Sequence, residues 1–157
     1  SNIKKITIMK KVLSILVLAL VAVQLAFAGD VITRDAKQLP LTARNFINRY
    51  FTDPQISHIK IETGILGSKS YEVLLTDRTE IDFDSNGNWL STRTELQRQE
   101  VPAEVLAALD NSQYAGWRVD DIDHFETPAD EWYRFELEEP QSDREVELRI
   151  RPDGGIF

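Results

Sequence analysis

The chain contains no cysteine, and this absence excludes several classes of protein. Only two of its 157 residues are histidine. A disulfide scaffold, a zinc site of the cysteine type and a thiol catalyst all need thiols, so the sequence excludes each of them. Basic side chains are also in the minority, with 18 against 26 acidic ones and a net charge of −8. Because phosphate binding depends on clustered cations, we expect no nucleic-acid partner.

Sequence motifs of catalysis and nucleotide binding are absent as well. The chain has neither the G-x-S-x-G of a hydrolase nor the glycine-rich loops that bind phosphates. His58 and His124 are distant in sequence and each lies in a predicted strand, so they make a poor zinc set and poor catalytic bases. We therefore predict no enzyme activity and no cofactor, and a small envelope hydrolase is the least favoured interpretation.

The N-terminal segment has the pattern of a secretory signal peptide. Two lysines at positions 10 and 11 precede an apolar run over residues 12–28, which ends in a small-x-small triplet. A run of this length is at the lower limit for a membrane span. Cleavage is expected before Gly29, and bacterial lipid attachment would need a cysteine at that position. We therefore expect residues 1–28 to be a signal peptide with an upstream extension, and no membrane anchor after cleavage.

Removal of that segment changes the composition of the protein. Residues 1–28 contain four lysines and no acidic residue, so residues 29–157 carry 14 basic and 26 acidic groups, a formal charge of −12. An exported protein without cysteine must be stabilised by packing alone, which indicates a bacterial periplasmic or secreted protein.

Two stretches of the mature chain show the same order of predicted elements. Each begins with an apolar residue and a proline before an amphipathic helix, at Leu39-Pro40 and at Val101-Pro102. Strand-like alternation follows at 56–63, 70–76, 79–84 and 88–95, and again at 117–126, 131–138 and 144–151. We therefore predict an α+β fold built as a tandem repeat over residues 29–98 and 99–157. Each repeat is a helix followed by three to four antiparallel strands, with the helix packed on one sheet face. The alternative is a chance match between two generic α+β segments.

This order of elements resembles the PepSY-like family of exported bacterial proteins, also described as β-lactamase-inhibitor-like. The resemblance covers about residues 33–157 and rests on the two helix starts and on the aromatic-led strands at Tyr71-Glu72-Val73 and Tyr133-Arg134-Phe135. The turns at 84–89 and 152–156 add to it. The resemblance implies a tandem α+β fold whose sheet serves as a recognition surface, and no known chemistry. The inhibitor name rests on similarity of fold and does not establish a function.

Two tryptophans and an acidic cluster are the candidates for contact with a partner. Trp89 and Trp117 lie beside predicted turns, where tryptophan often anchors a partner. Both could equally belong to the core, which we favour for Trp117. The acidic cluster consists of Asp120, Asp121 and Asp123. Without a partner we expect it to be a solvated strand edge, and a weak cation site is the further alternative.

One segment resembles the opening of a calcium-binding loop. Asp82, Asp84 and Asn86 match the pattern D-x-D-x-N-G, in which oxygens at alternate positions converge on the ion. The closing glutamate of such a loop is replaced by Arg93. We therefore favour a β-hairpin with Asn86-Gly87 at its tip and predict no metal site.

Taken together, these patterns predict a non-catalytic exported binding module. It would recognise a protein or peptide partner from the envelope or the extracellular space through its sheet surface, and could inhibit that partner. The acidic surface favours a basic partner. The alternative is an envelope sensor of a small ligand or a cation. Charged residues at the predicted sheet edge, such as Glu145 and Glu147, predict a monomer.

Overall fold

Antiparallel strands are the main secondary structure in the computed structural model, which describes residues 29–157. The predicted signal peptide lies outside the described residues. The strands are β1 (Val31–Thr33), β2 (Ile56–Thr63), β3 (Lys69–Leu75), β4 (Thr79–Phe83), β5 (Trp89–Glu95), β6 (Arg118–Glu126), β7 (Glu131–Glu138) and β8 (Glu145–Ile150). Helix α1 (Leu41–Tyr50) precedes β2 and helix α2 (Ala103–Asp110) precedes β6. Short 3-10 turns at Ala36–Gln38 and Arg98–Glu100 come before the two helices. Within residues 29–157, no helix is long and apolar enough to cross a membrane.

All the strands belong to one antiparallel sheet of eight strands, arranged in the order of the sequence. Strand β5 pairs with β6 from Thr92–Glu126 to Glu95–Asp123, so the sheet continues across the middle of the chain. The predicted tandem repeat of helix-and-strand units is therefore wrong. The physical reason is that alternation in a sequence reports the face a side chain occupies and not the strand it pairs with. Pairing β5 with β6 satisfies backbone groups that two separate sheets would leave unpaired at an edge.

Each helix is amphipathic and buries its apolar side on the sheet. Pro40 forms the N-cap of α1, where a missing N–H costs nothing, and Ala43 and Ile47 are buried one turn apart. In α2 the corresponding residues are Pro102 at the N-cap and Val105 and Leu109 on the buried side. The first helix packs on β2 to β4 around Ile59, Val73, Ile81 and Phe83, and the second on β6 to β8 around Ile122, Phe135, Leu148 and Ile150.

Both helices lie on the same side of the sheet. Residues directly opposite in a ladder share a face, and the pairs Ile81–Thr92, Thr94–His124 and His124–Tyr133 connect the two apolar cores along one side. We call this side the helix face. The other side is not covered by any helix of the described part of the chain, and we call it the open face. Its side chains include Lys60, Glu72, Glu80, Asp82, Ser91, Arg93, Asp123, Phe125, Trp132, Arg134, Glu136 and Glu147.

The hairpin turn between β4 and β5 packs directly against the start of α1. Gly87 has a positive φ of 81° and is buried. A Cβ added to it would lie 2.7 Å from Pro40 Cβ and 2.9 Å from the backbone nitrogen of Ala43. The turn therefore requires glycine both for its backbone conformation and for its close approach to the helix.

Candidate partner-binding site on the open face

A pair of stacked aromatic side chains lies on the open face. Phe125 of β6 and Trp132 of β7 are direct register partners, with ring centroids 5.2 Å apart and planes inclined by 7°. Both are half-buried, and the guanidinium of Arg134 lies 5.3 Å from the centroid of the Phe125 ring. Because no helix formed by residues 29–157 covers this side of the sheet, the rings form a flat apolar platform that solvent reaches. Such a platform suits an apolar or planar group of a partner.

The platform is bordered by a network of ion pairs centred on a buried carboxylate. Asp123 is 2% exposed and accepts hydrogen bonds from Arg93 Nη1, at 3.3 Å, and from Arg134 Nη2. Arg93 also donates to Glu80 at 2.9 Å, and this bond is the main cause that raises the pKa of the guanidinium. Arg134 lies 3.9 Å from Glu147 of β8. The network thus connects five strands and holds both arginines in place beside the aromatic pair.

Acidic side chains dominate the part of the open face formed by β2 to β5. A cavity of about 390 Å³ there is lined by Glu62, Glu72, Asp82 and Ser91, among others. Burial raises the pKa of Glu72 and Asp82, which are register partners, and the charge of Glu80 raises both further. Ser91 Oγ donates to Asp82 at 3.0 Å, which opposes that shift. The carboxylates therefore repel each other, and a cationic group brought by a partner would relieve that repulsion.

The two tryptophans selected from the sequence do not lie on the open face. Trp89 lies on the helix face, where its ring stacks on Phe46 of α1 at 5.2 Å and its Nε1 donates to Thr92 Oγ1 at 2.9 Å. Trp117 precedes β6 and packs at the margin of the second core, in an edge-to-face contact with Tyr114 at 5.0 Å. Each has packing contacts with a core, and the role of either in partner binding stays a prediction.

The three aspartates of the predicted acidic cluster have different environments. Asp120 and Asp121 are exposed, and Asp120 pairs with Arg118 Nε at 3.0 Å. Asp123 is buried between two arginines, so the expectation of a solvated strand edge is wrong for this residue. The difference arises because Asp123 lies opposite Arg134 of β7 and within reach of Arg93 of β5, whereas the ladder between β5 and β6 ends at Asp123 and does not reach Asp121.

The calcium-like segment forms the hairpin that we favoured for it. Asp84 Oδ1 accepts hydrogen bonds from the backbone N–H groups of Asn86 and Asn88, both at 2.9 Å. The Asn88 side chain donates to the other carboxylate oxygen at 3.0 Å and is the main cause that lowers the pKa of Asp84. Asp82 is bonded to Ser91 on the open face instead. The carboxylates of Asp82 and Asp84 therefore have separate hydrogen-bond partners, and that of Asp84 closes the turn.

The aromatic platform was not selected from the sequence, although a signal for it was present. In EWYRFELE the alternation assigns Trp132 to the same face as Arg134 and Glu136, which is the solvated one. A tryptophan among charged residues on the wet face of a strand is the kind of exposed aromatic that marks a binding surface. Phe125 becomes its neighbour through the hairpin between β6 and β7.

Solved structures with the same fold come from Bacteroides species. A BLIP-like protein from Bacteroides fragilis is 25% identical, and the match covers 76% of this chain and 83% of that one with a TM-score of 0.58. A periplasmic protein from Bacteroides eggerthii is 16% identical over 76% of this chain and 86% of that one, with a TM-score of 0.58. A DUF2874 family protein from Bacteroides uniformis is 18% identical over 75% and 86% of the two chains, with a TM-score of 0.55. The chain therefore has the fold of BLIP-like proteins. No curated protein matches it.

Residues 69–157 match the sequence model of a protein family described as "Putative beta-lactamase-inhibitor-like, PepSY-like". The chain belongs to this family, so the resemblance seen in its sequence is confirmed. The protein is periplasmic or secreted, as its export signal predicts. The family description names an inhibitor-like protein and no chemical reaction.

Proposed function

We propose that this protein is a non-catalytic exported binding module that holds a protein or peptide partner on its open face. The observation that carries the proposal is the stacked pair of Phe125 and Trp132 on a sheet face that no described helix covers. Both side chains are half-buried, and binding is favoured when a partner excludes water from the part of their apolar surface that is still exposed.

The surroundings of the platform support binding rather than mere exposure. Tryptophan and arginine are the residue types most enriched among those that dominate binding energy. Arg134 and Arg93 are held by the buried Asp123, so little conformational entropy is lost when a partner contacts them. The platform and its polar border are therefore organised before the partner arrives.

Charge supports a basic partner. The formal charge of residues 29–157 is −12, and the acidic cavity lies on the same face as the platform. A basic segment would be attracted during the encounter and would place a cation beside Glu72 and Asp82, so binding should weaken as salt is added. The family name supports a protein as this partner and inhibition as one consequence of binding.

Capture from an envelope extract at low salt tests the proposal with two tryptophan variants. Trp132→Ala removes the platform, and Trp117→Ala removes an aromatic of the same size from the margin of the second core. We expect wild type and Trp117→Ala to capture the same partner protein. The affinity of Trp132→Ala for that partner should be lower by about tenfold or more. Thermal melts of each variant check that the fold is intact. Unchanged capture by Trp132→Ala, or loss with Trp117→Ala alone, would contradict the proposed site.

A further inference from the structure

Polar side chains interrupt the helix face of the sheet between the two apolar cores. Thr94 of β5 lies opposite His124 of β6, and Thr92 lies opposite Glu126. Glu131 of β7 lies opposite Glu126. This strip is the place where a continuous core would continue from one helix to the other, and it contains a histidine and two carboxylates instead.

Three of these side chains converge on one point. His124 Nε2 lies 2.8 Å from Glu131 Oε1, and one ligand atom from each of His124, Glu126 and Glu131 lies within 4.8 Å of the other two. The imidazole stacks on Tyr133 at 4.6 Å, which restricts its rotation. Donor atoms around a tetrahedral Zn²⁺ are about 3.3 Å apart, given bond lengths of about 2.0 Å. Small side-chain movements therefore bring all three donors to coordination distance.

The charge of this cluster is not balanced. Glu126 and Glu131 are carboxylates directly opposite in a ladder, an arrangement that is destabilising when both are ionised. Within residues 29–157, no lysine or arginine forms an ion pair with either of them. Their field reaches Tyr133, whose pKa is raised by burial and then by the charges of Glu131 and Glu126. A bound cation would remove this repulsion.

We propose that His124, Glu126 and Glu131 form a binding site for a divalent transition-metal ion of the Zn²⁺ type. One imidazole nitrogen and two carboxylates suit Zn²⁺, whereas Ca²⁺ takes six to eight oxygen ligands. The adjoining groove has a volume of about 510 Å³ and is lined by Glu126, Glu131, Trp89 and Arg151, among others. It gives the ion access from solvent and leaves room for a water molecule as the fourth ligand. Sequence spacing does not reveal this site, because only one histidine takes part and Glu131 comes from the neighbouring strand.

Titration calorimetry with ZnCl₂ on the untagged protein tests the proposal. A polyhistidine tag must be removed, since it binds zinc itself. We expect one ion per chain, and visible absorption bands when Co²⁺ replaces Zn²⁺. Glu126→Gln and Glu131→Gln should each weaken Zn²⁺ binding by about tenfold or more, because each removes an anionic ligand. Both glutamates are exposed, so these variants keep the fold.

Histidine variants provide the matched control. His124→Ala should abolish the Co²⁺ bands, and His58→Ala, which changes the other histidine on β2, should leave Zn²⁺ affinity unchanged. The proposal is overturned if no Zn²⁺ binds at micromolar concentration, if binding survives both glutamate variants, or if His58→Ala removes it. Capture of a partner on the open face is a separate measurement, so this site can fail while the proposed function holds.

Discussion

Replacement of Gly87 by alanine should destabilise the protein more than the same change at Gly67. Both glycines have a left-handed backbone, with φ of 81° and 77°. At Gly87 the new Cβ would lie 2.7 Å from Pro40 Cβ and 2.9 Å from the nitrogen of Ala43, whereas at Gly67 it meets nothing within 4 Å. The two variants therefore separate the cost of backbone conformation from the cost of steric overlap.

The expected magnitudes follow from that geometry. A left-handed conformation costs a residue with a Cβ about 1–2 kcal/mol, which applies to both variants. Overpacking adds a cost of about 1–3 kcal/mol for Gly87→Ala alone. The new Cβ at this position meets the backbone and the proline ring at the start of α1. We expect a loss of about 2–5 kcal/mol for Gly87→Ala and about 1–2 kcal/mol for Gly67→Ala.

Urea unfolding followed by far-UV circular dichroism measures both free energies of unfolding. The difference between the variants should be at least about 1 kcal/mol, with equal dependence of the free energy on urea concentration. Equal losses would refute the argument, since they would mean that the turn moves away from α1 without cost.

Three further substitutions and one control test the electrostatics of the open face and of the turn. Asp123→Asn should lower the free energy of unfolding by about 2–3 kcal/mol, because two arginines lose their shared carboxylate. Glu136 has a side chain that is 46% exposed, so the control Glu136→Gln should lower the free energy of unfolding by less than about 0.5 kcal/mol. Urea unfolding decides between these values, and similar losses would contradict the role of Asp123. The pKa of Glu72 is raised in the folded protein, so this carboxyl costs stability as pH rises above the usual carboxyl range and it loses its proton. Glu72→Gln should therefore raise the Tm at pH 7 and not at low pH. A Tm gain that persists in acid would contradict this. Asp84 has a lowered pKa, so its contribution is lost as pH falls through the folded value, and Asp84→Asn should lower the Tm at pH 7 with a difference that shrinks in acid.

Local features of the fold could be predicted from the sequence because they depend on neighbours along the chain. The strand expected at 56–63 is β2, and the strands expected at 131–138 and 88–95 lie within one residue of β7 and β5. The two helix starts and the hairpin with Asn86-Gly87 at its tip were also predicted correctly. Apolar periodicity, proline and turn residues specify these elements.

Pairing between distant strands could not be predicted in the same way. The ladder of β5 with β6 joins residues about 30 positions apart, across helix α2, and no local pattern encodes it. β1 is only three residues long, Val31–Thr33, and too short to produce an alternation. The ladder of β5 with β6 turned an expected pair of repeats into one sheet, and β1 added an edge strand to it.

The candidate site depended on the same long-range information in part. The four-residue connection between β6 and β7 makes Glu126 and Glu131 register partners. The next pair in the same ladder is Phe125 with Trp132. This local hairpin was open to prediction from the sequence. The burial of Asp123 was not, because Arg93 reaches it from β5, which only the central ladder brings near.

The central ladder between β5 and β6 also bears on the shape of the sheet. It contains four register pairs, against eight between β6 and β7, and threonine, histidine and glutamate occupy its helix face in place of an apolar core. Neither helix packs on the sheet at this ladder, so the curvature of the sheet can change there at a lower cost in free energy than within either core. On the opposite side the Arg93–Asp123 ion pair spans the same two strands. A change of curvature at this ladder would therefore reshape the open face at its middle, beside the aromatic platform.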